Sequence, residues 1–244
     1  MISLEPPGSR SGGLHARLVD ALGMRIAHGD LPVGGLVSPE HVEAEYEVSR
    51  SVVREALRTL QVLGMVRPRH KVGTTVQPQA SWALLDPQVI AWRSDGPDAD
   101  IQLAELLTLR EALEPAAARI AATRAQDTLV ETLDERLATM REAYERRNRP
   151  AFASADTAFH RALLDGAGNA VLSQLGQTLI ATLHARYSER RRFFTDDTAT
   201  SLERHADIVR AVAAPDPAGA ESAATALVRA SRVEVLGPDP AWER

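Results

Sequence analysis

The sequence predicts a mainly α protein in two parts, an N-terminal winged helix-turn-helix followed by an all-α helical bundle. Three observations predict it. Apolar residues recur at helical spacing through most of the 244-residue chain. Strand-like pieces are confined to Met65-Val66 and Thr74-Thr75-Val76, on either side of the basic run Arg67-Pro-Arg-His-Lys-Val-Gly73. Basic charge is local: Arg50, Arg54, Arg58, Arg67, Arg69 and Lys71 stand against the single acid Glu55 between Ser49 and Gly73, in a chain of net charge -5.

The elements follow in order. Residues 1–12 read as a tail, and 13–77 as the winged helix-turn-helix. Leu14, Leu18, Leu22 and Ile26 line a first helix over Leu14–Ala27, ended by Gly29. Asp30-Leu-Pro-Val-Gly-Gly makes a turn, and a short helix fits Pro39–Tyr46, with Ser38 as N-cap and Pro39 at the first helical position. A third helix starts after Ser49, its expected cap, and stops near Gly64. On that helix Arg50, Arg54 and Arg58 recur every four residues and form one cationic stripe. Val53, Leu57 and Leu60 form an apolar stripe beside it, so one face is built to pack and its neighbour to meet phosphates or base edges.

Residues 78–99 read as a linker with one brief helix around Val89–Trp92, pinned to a domain surface by Trp82 and Trp92. Residues 100–236 read as the bundle and 237–244 as a tail. Leu103, Leu106, Leu107, Leu109 and Leu113 line a helix that bends or steps at Pro115. Leu129, Leu133, Leu137 and Met140 line the next, capped by Asp127; a third opens at Pro150 and contains Phe152, Phe159 and Leu163. A long helix from Val171 to about Arg192 turns Leu172, Leu175, Leu179 and Leu183 inward. Asp196–Thr200 breaks it, and Thr200 with Glu203 makes a capping box for the helix through Ala213. Pro215-Asp-Pro217 turns into a final Ala-rich helix.

Composition removes several function classes. No cysteine is present, which excludes disulfides, thiolate zinc sites and thiol catalysis. No apolar run is long enough to span a bilayer, and MISLEPPGSRSGG lacks a signal-peptide core, so no membrane and a cytoplasmic location are expected. Residues 1–80 hold nine basic and eight acidic residues, the remainder 19 and 25. The acidic body repels a polyanion, which confines any nucleic-acid contact to the basic segment.

Residues 13–77 resemble the GntR family of bacterial regulators. The resemblance rests on Gly29-Asp-Leu-Pro-Val-Gly34, Val48-Ser-Arg-Ser-Val-Val-Arg-Glu-Ala-Leu-Arg58, Leu63-Gly-Met-Val66 and Gly73-Thr-Thr-Val76. It implies a double-stranded DNA operator contacted by Ser49, Arg50, Ser51, Arg54, Arg58 and, in the wing, Arg69, His70, Lys71 and Gly73. One position departs: many relatives carry an arginine early in the second helix where this chain has Glu40, and a carboxylate cannot make a phosphate or guanine contact.

In the bundle, Asp156 and His160 are four apart and share a helix face, and His205 lies on another helix. A carboxylate with two imidazoles suits a divalent ion such as Zn, Ni or Mn; a hydrogen-bonded surface pair is the alternative. The order Arg110-Glu-Ala-Leu-Glu-Pro115, Asp156-Thr-Ala-Phe-His160, Gly168-Asn169 and Glu203-Arg-His205 is similar to the FCD effector domain of the FadR subfamily. That resemblance implies a metal held by an aspartate and three histidines, with a small carboxylate effector beside it. Asp156, His160 and His205 match three ligands; the fourth position falls at Leu227, which cannot coordinate. Either the ion keeps an open position, or it is held weakly, or the effector binds without it. Arg110 matches an arginine that orients the effector, or else pairs with Glu111 or Glu114.

Leu85-Asp-Pro-Gln-Val-Ile-Ala-Trp92, the 110–115 segment and a last helix without its histidine further resemble regulators of sugar-acid operons. The expectation is a homodimeric repressor, released from its operator by an aldonate such as galactonate. A GntR-type regulator of another small carboxylate is the alternative. A metal-dependent enzyme is a rival, since three ligands with an open position also describe catalytic zinc, but no placed general base accompanies them and the basic domain stays unexplained. A third reading is a DNA-binding protein whose bundle only dimerises.

Overall fold

The computed structural model describes residues 13–69, 73–124, 127–176, 179–180 and 196–237. It forms two compact units, one to Gln102 and one from Leu103. The first contains α1 (Leu14–Ala27), β1 (Leu36–Val37), α2 (Pro39–Tyr46), α3 (Arg50–Val62), β2 (Val66–Arg69), β3 (Gly73–Val76) and α4 (Pro87–Ser94). β3 lies between β1 and β2 and is antiparallel to both, with Leu36 opposite Thr75 and Arg69 opposite Gly73. The hairpin is the predicted wing. β1 is an addition that two residues could not announce.

Leu18, Leu22, Val53, Leu60 and Met65 are sealed in this unit's core with Val37, Val42 and Tyr46. Leu14, expected on the same stripe, is 52% exposed. A four-residue repeat advances about 40° per step on a helix with 3.6 residues per turn, so Leu14 has drifted well away from Ile26. Ser38 caps α2 as expected, accepting the amide of His41. Ser49 occupies the N-cap position of α3 but makes no capping bond; its hydroxyl meets that of Ser51 at 2.9 Å. Gly64 sits at φ 72°, and a Cβ there would lie 1.9 Å from the carbonyl of Ser81, so the turn into the wing requires glycine.

Residues 78–99 are more than a linker. Val89 and Trp92 of α4 are buried in the first unit's core. The Trp92 indole donates to Asp20, and Trp82 donates to the carbonyl of Gln77. Gly23 leaves room for the Trp92 ring, which a Cβ would meet at 2.6 Å. His28 is half-buried with Nε2 3.1 Å from the carbonyl of Trp92.

The division between the units falls inside α5 (Ala99–Arg124), which is helical through Pro115. The second unit continues with α6 (Asp127–Glu145), α7 (Arg149–Gly166), helical residues 170–176 and 179–180, α8 (Asp196–Ala213) and α9 (Pro217–Leu236). Leu133, Met140, Phe152, Phe159, Leu163, Ile208, Val212 and Leu227 form its core. The predicted break at Asp196–Thr200 is overturned: α8 begins at Asp196, so Thr200 and Glu203 lie inside it and make no capping box. Thr198, Ser201, Leu202 and His205 are all buried along one face, and that packing extends the helix over a local stop signal. Asp127 lies in the first turn of α6. Leu175, expected inward, is 38% exposed. Leu183, His184 and Arg186 lie outside the described residues.

Candidate functional site

α3 places its charges as its periodicity requires. Arg50, Arg54 and Arg58 are exposed while Val53, Leu57 and Leu60 are buried. The side chains of Arg50, Arg54, Arg58 and Gln61 face Pro68 and Thr74 of the wing across a groove of about 520 Å³. Arg69 and Gly73 are exposed and paired at the end of the hairpin where residues 70–72 connect its strands, while His70 and Lys71 lie outside the described residues. Arg58 meets Glu55 at 3.4 Å.

Arg50 has acidic neighbours on α2. Its Nη2 is 3.7 Å from Glu40 Oε1 and its Nε 3.8 Å from Glu43 Oε1. Ser38 donates its hydroxyl to Glu40 Oε2 at 2.9 Å. The backbone amide of Glu40, the Ser38 hydroxyl and Arg50 together hold the Glu40 carboxyl below the usual carboxylate range. Glu43 Oε1 is covered from solvent and accepts no hydrogen bond.

The second constellation lies within the bundle, with Arg110, Glu114, His160 and His205 buried and Asp156 13% exposed. Along α5 the buried positions run Leu103, Leu107, Arg110, Glu114, Ala117 and Ala121, alternating steps of four and three. The turn that Leu109 and Leu113 were expected to fill is held instead by a charged pair; those leucines are only half-buried. Arg110 Nε donates to Glu114 Oε1 at 2.6 Å, with side chains 7% and 1% exposed. Arg110 Nη2 is 2.7 Å from His160 Nε2, and His160 Nδ1 is 2.8 Å from Glu114 Oε2. Burial pushes the Glu114 carboxyl up, but Arg110 and His160 outweigh it and hold the group down at about 2. The ion-pair alternative for Arg110 is therefore present, and its partner is Glu114.

α7 and α8 supply the rest. His205 Nε2 is 3.4 Å from Asp156 Oδ1 and 3.4 Å from His160 Nε2, and its Nδ1 is 2.7 Å from the carbonyl of Ser201. Phe159 presents its ring edge-on to His205 with centroids 4.8 Å apart. Burial lowers the His205 pKa and favours the neutral imidazole.

These partners assign the tautomers. Nδ1–H of His160 donates to Glu114 and Nδ1–H of His205 to the Ser201 carbonyl, leaving both Nε2 lone pairs beside Asp156. Donor atoms of Asp156, His160 and His205 all lie within 4.8 Å of one another. Outer partners that fix imidazole orientation are what metal-binding histidines carry, so the donor set fits a divalent ion. Arg110 competes for the same His160 lone pair. Leu227 is 1% exposed in the apolar core, so it provides packing and no donor. Sequence reasoning missed two members. Glu114 was visible four residues after Arg110, but only as a competitor; the Ser201 carbonyl is backbone and leaves no side-chain signal.

An exposed cationic helix beside a wing, joined to a helical body with a buried polar cluster, defines a DNA-binding regulator with a small-molecule-sensing domain. Residues 14–76 match the family of bacterial regulatory proteins named gntR, and residues 105–230 match the FCD domain. The chain belongs to the GntR family, in the group carrying an FCD domain, and is a transcriptional regulator, not an enzyme. It is 34% identical to the probable D-xylose utilization operon transcriptional repressor of Paenarthrobacter nicotinovorans, over 86% of this chain and 84% of that one. It is 29% identical to the galactonate operon transcriptional repressor of Escherichia coli K12, over 88% of this chain and 93% of that one. The fold is shared with a solved structure of Lar, which controls expression of the Listeria monocytogenes agr system, at a TM-score of 0.63 and 18% identity, covering 95% of this chain and all of that one. No described helix is long and apolar enough to cross a membrane.

Proposed function

We propose that this regulator is a homodimeric repressor of a sugar-acid catabolic operon, released when an aldonate such as galactonate enters the bundle. The cluster of buried Arg110, Glu114, His160 and His205 with half-buried Asp156 carries the reading: a charged network within an apolar bundle is expensive unless it recognises something polar. Likeness to repressors of a galactonate and a D-xylose operon supports sugar-derived effectors.

Asp156, His160 and His205 would hold a divalent ion (Zn, Ni or Mn), which supplies positive charge to an effector carboxylate. Arg110 orients that carboxylate through its planar fork, exchanging a contact with Glu114 or His160 for one with the ligand. At the DNA, α3 enters the major groove, with Arg50, Arg54 and Arg58 reaching bases or phosphates. Ser49 and Ser51 meet the backbone at the helix start. Arg69, His70, Lys71 and Gly73 of the wing touch the neighbouring groove. The effector acts only by binding one arrangement of the dimer more tightly than the other.

The test is a gel shift with the chain's own promoter region, titrated with galactonate, related aldonates and neutral sugars. The expected result is a retarded dimer complex released by an aldonate, together with thermal stabilisation by the same compound that Arg110→Ala removes. Release by a neutral sugar alone, unaffected by Arg110→Ala, would overturn the sugar-acid assignment.

A further inference from the structure

We infer that Glu40 and Glu43 act as a carboxylate brace on Arg50, positioning its guanidinium to read one base pair of the operator. The inference rests on the placement of α3 in the major groove proposed above. Three observations carry it. Arg50 stands at the start of α3 with one carboxylate near Nη2 and another near Nε, at 3.7 and 3.8 Å. Both carboxylates come from one short helix, α2. Glu40 is held at Oε2 by the Ser38 hydroxyl, so that Oε1 turns to Arg50. Glu43 Oε1 is shielded from water and, among the described residues, takes no hydrogen bond and has Arg50 as its cationic neighbour.

The chemistry sets what such a brace does. A carboxylate on a surface that approaches a polyanion opposes non-specific binding, because phosphates attract cations and repel anions without regard to sequence. Two carboxylates there are costly as affinity devices. They are useful as specificity devices. Arginine reads guanine through two parallel hydrogen bonds to O6 and N7, and that geometry is lost if the guanidinium swings to the nearest phosphate. Carboxylates beside Nη2 and Nε restrain that swing and add repulsion to the phosphate alternative. The three charges therefore form a unit: Arg50 reads, Glu40 and Glu43 aim. Among the described residues Arg54 and Arg58 lack this arrangement; Arg58 meets Glu55 of its own helix at 3.4 Å.

The experiment is in vitro selection of operator sites from a random duplex pool. Full-length wild type is compared with Glu40→Gln, Glu43→Gln and the double variant, and binding is then measured on the selected duplex and on a scrambled duplex across a salt series. In the double variant the selected site should lose its preference at one base pair per half-site. Discrimination between selected and scrambled duplex should fall roughly tenfold, while affinity for the scrambled duplex rises a few-fold and the salt dependence steepens by about one ion per subunit. Glu40→Asp, which keeps the charge, should retain most of the discrimination.

An unchanged selected site, with affinity for every duplex raised equally, would show plain repulsion and overturn the brace. So would uniform weakening accompanied by a lower melting temperature, since that is a folding effect. Arg54→Ala separates the two levels of the reading. If it abolishes binding while the glutamine variants select the wild-type site, only the brace fails. If wild type selects no site at all, the placement of α3 on DNA fails first.

Discussion

Arginines on two helices of this molecule, α3 and α5, do opposite work. On α3, Arg50, Arg54 and Arg58 stay in water, with partners no nearer than 3.4 Å where ion pairs occur. On α5, Arg110 is withdrawn from water and matched at 2.6 Å by Glu114, which also orients His160. A solvated cation keeps its charge available to DNA, and a single exposed pair such as Arg58 with Glu55 is readily exchanged for a phosphate. A buried cation must be neutralised on the spot, and its pairing sets geometry more than stability. Location, not residue type, decides whether an arginine recruits a partner or specifies a cavity.

The comparison can be broken most severely at Glu114. Glu114→Ala leaves the Arg110 guanidinium buried without its carboxylate, which should destabilise the bundle by about 3–5 kcal/mol in urea unfolding. A loss below about 1 kcal/mol would mean that water reaches the pair, and the contrast with α3 would vanish. The double replacement Arg110→Met with Glu114→Leu sharpens the point: it should recover part of the loss, since apolar side chains replace buried ions well, and stay about 1–3 kcal/mol short of wild type because the buried His160 Nδ1–H loses its acceptor. Effector response should not return with it.

Next in size is Arg54→Ala. It should weaken operator binding by about 1–3 kcal/mol if the side chain reads a base, or lower the salt slope by about one if it holds a phosphate. Either way, the urea midpoint should stay within the small range usual for surface changes. A clear loss of stability would place Arg54 among the packing residues. The smallest effect belongs to the exposed pair of Arg146 and Glu142, 2.8 Å apart at the end of α6. Glu142→Ala should change stability by less than about 0.5 kcal/mol despite a short distance comparable to that at Arg110.

Periodicity carried most of the architecture. The helices of the first unit are where their stripes and caps place them, because Ser38, Pro39 and the alternation of Val53, Leu57 and Leu60 are local signals read over a few residues. β1 was not legible, since two residues become a strand only by pairing with Thr74 and Thr75 far along the chain. The start of α8 was misread because Thr200 and Glu203 form a local cap pattern, whereas burial of Thr198 and Ser201 depends on neighbouring helices. At the buried cluster, Asp156 and His160 were visible as a pair on one face, and His205 through resemblance. Glu114 was legible as a partner for Arg110, but its contact with His160 was not, for a physical reason. A search for apolar stripes passes over charged residues, so Leu109 and Leu113 drew the assignment while Arg110 and Glu114 kept the four-and-three rhythm of the buried face. What the sequence withheld was direction: spacing gives neighbours on a helix, and only packing says which neighbours turn inward.

The seat of Trp92 against Gly23 has an optical consequence. Of the three tryptophans, Trp82 and Trp92 both belong to the first unit, and Trp242 lies outside the described residues. In a Trp242→Phe chain, excitation at the indole band would therefore sample the head alone, through Trp82 and Trp92. Filling the notch with Gly23→Ala should displace the Trp92 indole and redden its emission, giving a spectroscopic signal of that unit that needs no added dye.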